Sequence, residues 1–130
     1  PLCNGVIDKE GVLHLIGWGR TNHAGLGDAN VLRAVIKEKK LPKPHFMTVD
    51  GNSRFYGFEC INLGDGKDSW PEAQMEAMVR VSAALLRVHG WGKTGSTSVI
   101  GHKEWQYKKP DPRGINMNKI RKRVAERLKK

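Results

Sequence analysis

Residues Ser69 to Gly90 read SWPEAQMEAMVRVSAALLRVHG, and the way this stretch is read decides the fold. Met75, Met78, Val79, Ala83, Leu85 and Leu86 fall at helical spacing, which predicts a long amphipathic helix over Pro71 to His89. Pro71 is tolerated inside the first turn, Ser69 and Glu72 stand at capping-box spacing, and Gly90 supplies the stop. A helix with one apolar face needs a surface to lie on, and the residues before it supply strands. Leu2 to Ile7 and Val12 to Ile16 predict two strands joined by the turn Asp8-Lys9-Glu10-Gly11. His45 to Val49 and Arg54 to Ile61 predict a second strand pair around Asp50-Gly51-Asn52. Between the pairs, Trp18 to Gly27 is a Gly-, Asn- and His-rich loop. Asp28 caps a short helix over Ala29 to Lys39, which Pro42 and Pro44 follow. Beyond the long helix, Thr97 to Ile100 predicts a short strand, then a loop to Gly114 and a last helix over Met117 to Leu128. The expected fold class is α/β, a mixed central β-sheet flanked by α-helices, in one domain over residues 1–130.

Length and composition agree with a single folded domain. The 130 residues are enough for one core, and 38% of them are hydrophobic. No apolar run approaches the roughly 18–20 residues of a membrane span, and no signal peptide stands at the start. The chain opens at Pro1 without a methionine, so residues of a longer precursor are expected upstream. The formal net charge is +10, a field that attracts polyanions such as nucleic acid or an anionic cell wall. Much of that charge is crowded into the tail at Lys119, Arg121, Lys122, Arg123, Arg127, Lys129 and Lys130, which reads equally as the solvated face of a terminal helix. Cys3 and Cys60 are far apart in apolar, strand-like stretches and are expected to be buried free thiols.

Three constellations carry chemistry. In Gly101-His102-Lys103-Glu104-Trp105-Gln106-Tyr107-Lys108-Lys109-Pro110-Asp111-Pro112, a His is followed nine residues later by an Asp held between two prolines. Imidazole and carboxylate are both zinc ligands, and flanking prolines restrict the backbone that presents the carboxylate. The same residues also read as a Pro-rich surface loop. Glu59 interrupts an apolar strand, which suits either a functional carboxylate or a side chain turned to solvent. Arg20-Thr21-Asn22-His23-Ala24-Gly25 places Asn22 and His23 in a Gly-flanked loop, where a His is commonly just exposed.

Together these residues resemble a known family. From Leu2 to about Val124 the chain is similar to the type-2 N-acetylmuramoyl-L-alanine amidases, especially forms from phages and actinobacteria-type bacteria. Four pieces in family order carry the likeness: the strand pair Pro1-Leu2-Cys3-Asn4 through Gly11 to Ile16, the loop Asn22-His23-Ala24-Gly25, the strand Tyr56-Gly57-Phe58-Glu59, and the segment Gly101 to Pro112. The resemblance implies a peptidoglycan hydrolase that cuts the amide between N-acetylmuramic acid and L-alanine. It implies a Zn2+ cofactor, with His102 and Asp111 as metal ligands. Glu59 corresponds to the catalytic carboxylate, Lys109 (or its neighbour Lys108) to the oxyanion-stabilising cation, and His23 with Asn22 to the substrate cleft. The family's remaining zinc ligand lies on a first strand with no counterpart here, so that strand and its His are expected upstream of Pro1. The segment Asp28 to His45 reads as a cleft-side insertion or as a helix on the sheet's edge. The implied partners are muramyl peptide and anionic wall polymers. The implied place of action is the bacterial cell wall, reached from the host cytoplasm at lysis if the protein is phage-encoded. A non-catalytic peptidoglycan-binding module of the same fold is the alternative. Nucleic acid is not expected, because the basic tail lacks aromatics.

Overall fold

The structure, a computed structural model, describes residues 1–94 and 97–130. Strand β1 (Gly5–Ile7) is central in a three-stranded mixed sheet. It pairs antiparallel with β2 (Leu13–Leu15) and parallel with β5 (Phe58–Cys60). Gly11 closes the β1–β2 turn at φ 82°, a left-handed conformation that favours glycine. The parallel pairing is fixed by a buried asparagine: Asn4 N–H donates to the Gly57 carbonyl, and its Oδ1 accepts from Gly57 N–H. Helix α2 (Glu72–His89) covers this sheet through Gln74, whose buried amide donates to the Ile7 and Ile61 carbonyls.

The second strand pair forms differently from the sequence expectation. Strand β4 (Val49–Asp50) pairs antiparallel with β3 (Leu26–Gly27), not with β5. The cause is Asn52, whose Oδ1 accepts from the backbone N–H groups of His23, Ala24 and Gly25 and draws the turn at 50–52 onto that loop. Thr97 to Ile100 also departs from expectation. It forms no strand, and Val99 packs on one core cluster while Ile100 packs on the other. Helix α2 starts at Glu72 without a side-chain cap, so the Ser69–Glu72 box does not form. Pro71 disfavours helical backbone at Trp70, and the Glu72 carboxylate is taken by Arg123. Cys3 and Cys60 are free, as expected, but only Cys3 is buried and Cys60 is half-buried.

Two cores flank the site. Val79, Ala83 and Leu86 of α2 pack on Ile120 and Val124 of α4 (Met117–Leu128), whose bounds match the sequence expectation. Ala24, with Val31 and Val35 of α1 (Ala29–Ile36), packs on Trp105 of the short helix α3 (His102–Trp105), which the sequence reading placed in a loop. The segment after Asp28 is therefore a helix packed behind α3. Asp28 caps it and also accepts from His45 and Phe46 N–H. Burial alone would raise the Asp28 carboxyl, but its backbone donors outweigh burial and hold it below the usual carboxylate range. Gly27 lets the Trp105 ring close onto β3, where an added Cβ would stand 2.0 Å from a ring carbon. Gly27→Ala is expected to lose about 1–3 kcal/mol or more through overpacking, read as a lowered urea midpoint with an unchanged m-value.

The basic tail is partly neutralised within the fold. Arg123 pairs with Glu72 and Glu76, Arg127 with Glu76, and Arg121 with Glu104. These three arginines tie α4 to α2 and α3, so the tail's charge serves the fold as well as the surface.

Candidate active site

The site is assembled where the His23–Ala24 loop meets Gly57, just before β5, and the first turn of α3. His102 opens α3, and its orientation is fixed on both ring nitrogens. Nε2 lies 3.0 Å from the Ala24 carbonyl and Nδ1 lies 3.3 Å from Asp111 Oδ2. A carbonyl only accepts, so Nε2 carries the hydrogen. In the neutral ring the Nδ1 lone pair then faces a carboxylate oxygen, an arrangement that calls for a proton or a cation between them. A backbone carbonyl holding the far nitrogen of a histidine is also the usual support for a metal-ligating imidazole.

Asp111 is held by its backbone, whose carbonyl accepts from Lys103 N–H at 2.7 Å. Glu104 steadies the α3 turn. It accepts from Gly101 N–H at 2.9 Å and takes both guanidinium arms of Arg121 at 2.8 Å. His102 and Asp111 thus stand on a braced turn, as preorganised ligands require.

A cleft of about 700 Å³ runs past this pair, and its lining includes His23, Glu59, His102 and Asp111. His23 closes against β5, where an added Cβ at Gly57 would come within 2.1 Å of its ring. Its Nδ1 is 2.7 Å from Thr21 Oγ1, and that hydroxyl donates to Asn4 Oδ1. The hydroxyl proton being committed, Nδ1–H is the donor and Nε2 is left as an acceptor. That Nε2 is buried and has no hydrogen-bond partner among the described residues. Burial, opposed by the Thr21 contact and helped by neighbouring His102, pushes the His23 imidazole below its ordinary value and favours the neutral form. Cys60 also lines the cleft. Burial, with Glu59 beside it, pushes its thiol up to about 12, so it stays protonated and is a poor ligand or nucleophile.

The cleft does not gather every residue expected from sequence. Asn22 is exposed, accepts from Arg20 and lies outside the lining. Lys109 and Lys108 are exposed on the loop between the ligands and also lie outside it. His14 faces Asp8 across the hairpin and His89 meets the Tyr56 hydroxyl, so neither approaches the His102–Asp111 pair by a direct contact. Among the described residues, no third His, Cys, Asp or Glu joins His102 and Asp111 in a metal-sized cluster. The pair fits two positions of a zinc coordination sphere, in donor type and in orientation.

The sequence matches the family model described as N-acetylmuramoyl-L-alanine amidase over residues 1–114, a span that holds both sheets, His23, Glu59, His102 and Asp111. The chain belongs to the N-acetylmuramoyl-L-alanine amidase family. The searches of curated proteins and of solved structures returned no match. Membership of this amidase family implies peptidoglycan as substrate and the cell wall as the place of action. No helix among the described residues is long and apolar enough to cross a membrane.

Sequence reasoning passed over the groups that shape this amidase site. Asn52 was read only as part of a turn, yet it organises the His23 loop through three N–H donors. An Asn in an Asp-Gly-Asn turn was the available signal, since such side chains bond to backbone readily. Asn52→Ala is expected to cost about 1–3 kcal/mol by leaving partly buried donors unmet. Thermal unfolding checks the loss, and faster amide exchange at His23, Ala24 and Gly25 localises it.

Proposed function

We propose that the chain hydrolyses the amide joining the lactyl group of N-acetylmuramic acid to L-alanine, using zinc held in part by His102 and Asp111. The observation that carries this reading is the His102–Asp111 pair, 3.3 Å apart, with the opposite ring nitrogen anchored on Ala24 and a cleft alongside. A zinc ion at that pair supplies Lewis acidity toward water and the scissile carbonyl. Every other task falls to this chain's own residues. Glu59, on β5 and lining the same cleft, takes a proton from the attacking water and returns it to the departing amine. The C–N bond breaks as the carboxylic acid of the lactyl group forms, and the stem peptide leaves with a free L-alanine amine.

His23 lines the same cleft and is assigned to the substrate surface. Lys109 stands two residues before Asp111, and its exposed ammonium, on a flexible stem, stabilises the negative charge that develops on the carbonyl oxygen. Asn22 is assigned to the outer substrate surface beside Arg20. The net charge of +10 supplies attraction to anionic wall polymers and suits a lytic enzyme such as a phage endolysin.

The absence of a third clustered donor among the described residues favours one other reading, a peptidoglycan-binding module without turnover. Chelation separates the two. Stripping the protein with a strong chelator abolishes amide cleavage and added Zn2+ restores it if the amidase reading holds. Wall binding with no cleavage at any zinc concentration leaves the binding module.

A further inference from the structure

Three rings are in contact in sequence, Trp18 on Tyr56 and Tyr56 on His89, and the proposed chemistry leaves them unused. Trp18 and Tyr56 have centroids 5.7 Å apart at an interplanar angle of 39°. Tyr56 and His89 follow at 5.7 Å and 34°, and the Tyr56 hydroxyl meets His89 Nε2 at 3.0 Å. Tyr56 and His89 line the cleft. Trp18 lies outside that lining and carries the aromatic surface outward. It is 75% exposed, an unusual state for the largest apolar side chain.

The residues that follow Trp18 are polar. Arg20, two residues on, bonds Asn22 Oδ1 at 3.0 Å and Asp50 Oδ2 at 3.2 Å. An exposed indole with a guanidinium and an amide two and four residues on suits a ligand that is apolar on its faces and polar around its rim. A pyranose ring has this character: its axial C–H bonds present a weakly positive face to the electron-rich ring face, and its hydroxyl and acetamido groups lie at the edge. With the two rings 5.7 Å apart, a sugar stacked on Trp18 lies next to Tyr56 and the cleft that Tyr56 lines.

We propose that Trp18 and Tyr56 form a glycan-stacking platform that holds the N-acetylated sugar strand of peptidoglycan beside the His102–Asp111 site. The proposal rests on the peptidoglycan reading for its ligand, and continuity of Tyr56 with the cleft selects sugar over other stacking ligands. The platform holds the polymer, while the stem peptide enters the cleft.

The test uses the tetramer of β-1,4-linked N-acetylglucosamine, which has no peptide and no scissile amide. Its binding to the full chain is followed by chemical shift changes on titration. The platform predicts saturable binding, about 3- to 10-fold weaker in Trp18→Ala and close to wild type in Trp18→Phe, which keeps a ring. Because Trp18 is largely solvent-exposed, Trp18→Ala is expected to keep the fold, and its thermal melt verifies this. No binding by the wild type, or equal binding by Trp18→Ala, overturns the proposal. A Trp18-dependent affinity for single-stranded DNA with none for the tetramer overturns it in favour of nucleic acid. Amide cleavage by the wild-type chain is assayed separately. Trp18-dependent sugar binding without cleavage supports the platform and counts against the hydrolase alone.

Discussion

Replacing His102 or Asp111 with alanine is expected to abolish measurable cleavage of purified peptidoglycan while the fold survives. The two side chains meet at the cleft and contribute little to either core cluster. Loss of a residue that merely orients a metal ligand costs roughly 10–100-fold in metal affinity or activity. Removing a ligand itself should exceed that range. His102→Ala also deletes the contact to the Ala24 carbonyl, so it frees the His23 loop as well as the donor. Asp111→Asn is the cleaner variant: it preserves shape and removes the charge that faces Nδ1. Equilibrium zinc binding and turnover should fall together in both variants, with melting temperatures near wild type. Wild-type turnover in either variant would place the chemistry elsewhere in the cleft.

Glu59→Gln has a different signature. Glu59 is exposed at its β5 position and has no ion pair among the described residues, so its loss should leave stability within about 0.5 kcal/mol. If Glu59 moves the proton as proposed, the substitution lowers kcat by about 10²–10⁴-fold. Zinc binding and affinity for intact walls should stay near wild type. The contrast with His102→Ala is diagnostic: one variant loses metal and turnover together, the other turnover alone. A Glu59→Gln enzyme within a few-fold of wild-type kcat would remove Glu59 from the reaction.

How far the sequence carried the argument depends on the range of the interaction that decided each feature. Helices α2 and α4 were legible because 18 and 12 residues give periodicity room to show. The β1–β2 hairpin was legible because its turn ends in a glycine that the structure holds at φ 82°. Helix α3 has four residues, too few for any period, and was read as loop. The partner of β4 was set by Asn52 reaching back 27 to 29 residues to the His23 loop, a contact no local pattern announces. The Ser69–Glu72 box failed for the same reason, since Glu72 found Arg123, 51 residues away. Tail charge that looked free in sequence is tied to acids on α2 and α3 by contacts of that kind.

At the site, the proline-bracketed Asp111 and the His102 before it were legible as a pair, and the fold brings them to 3.3 Å. His23 and Glu59 were legible as candidates and share the cleft with that pair. The second-layer contacts were not. The Ala24 carbonyl, Thr21, Glu104 and Arg121 hold the site through backbone and long-range bonds that residue types do not reveal. Lys109 was legible only through family resemblance. Its side chain stands in solvent, where pattern and packing say nothing of its reach.

The most direct test of the account is mass analysis of what the zinc-loaded full chain releases from purified peptidoglycan. The account predicts stem peptides that begin with a free L-alanine amine, and glycan strands that keep every lactyl carboxylate and every glycosidic bond. Fragments cut within the glycan or within the stem peptide, or intact walls after prolonged incubation, would contradict it.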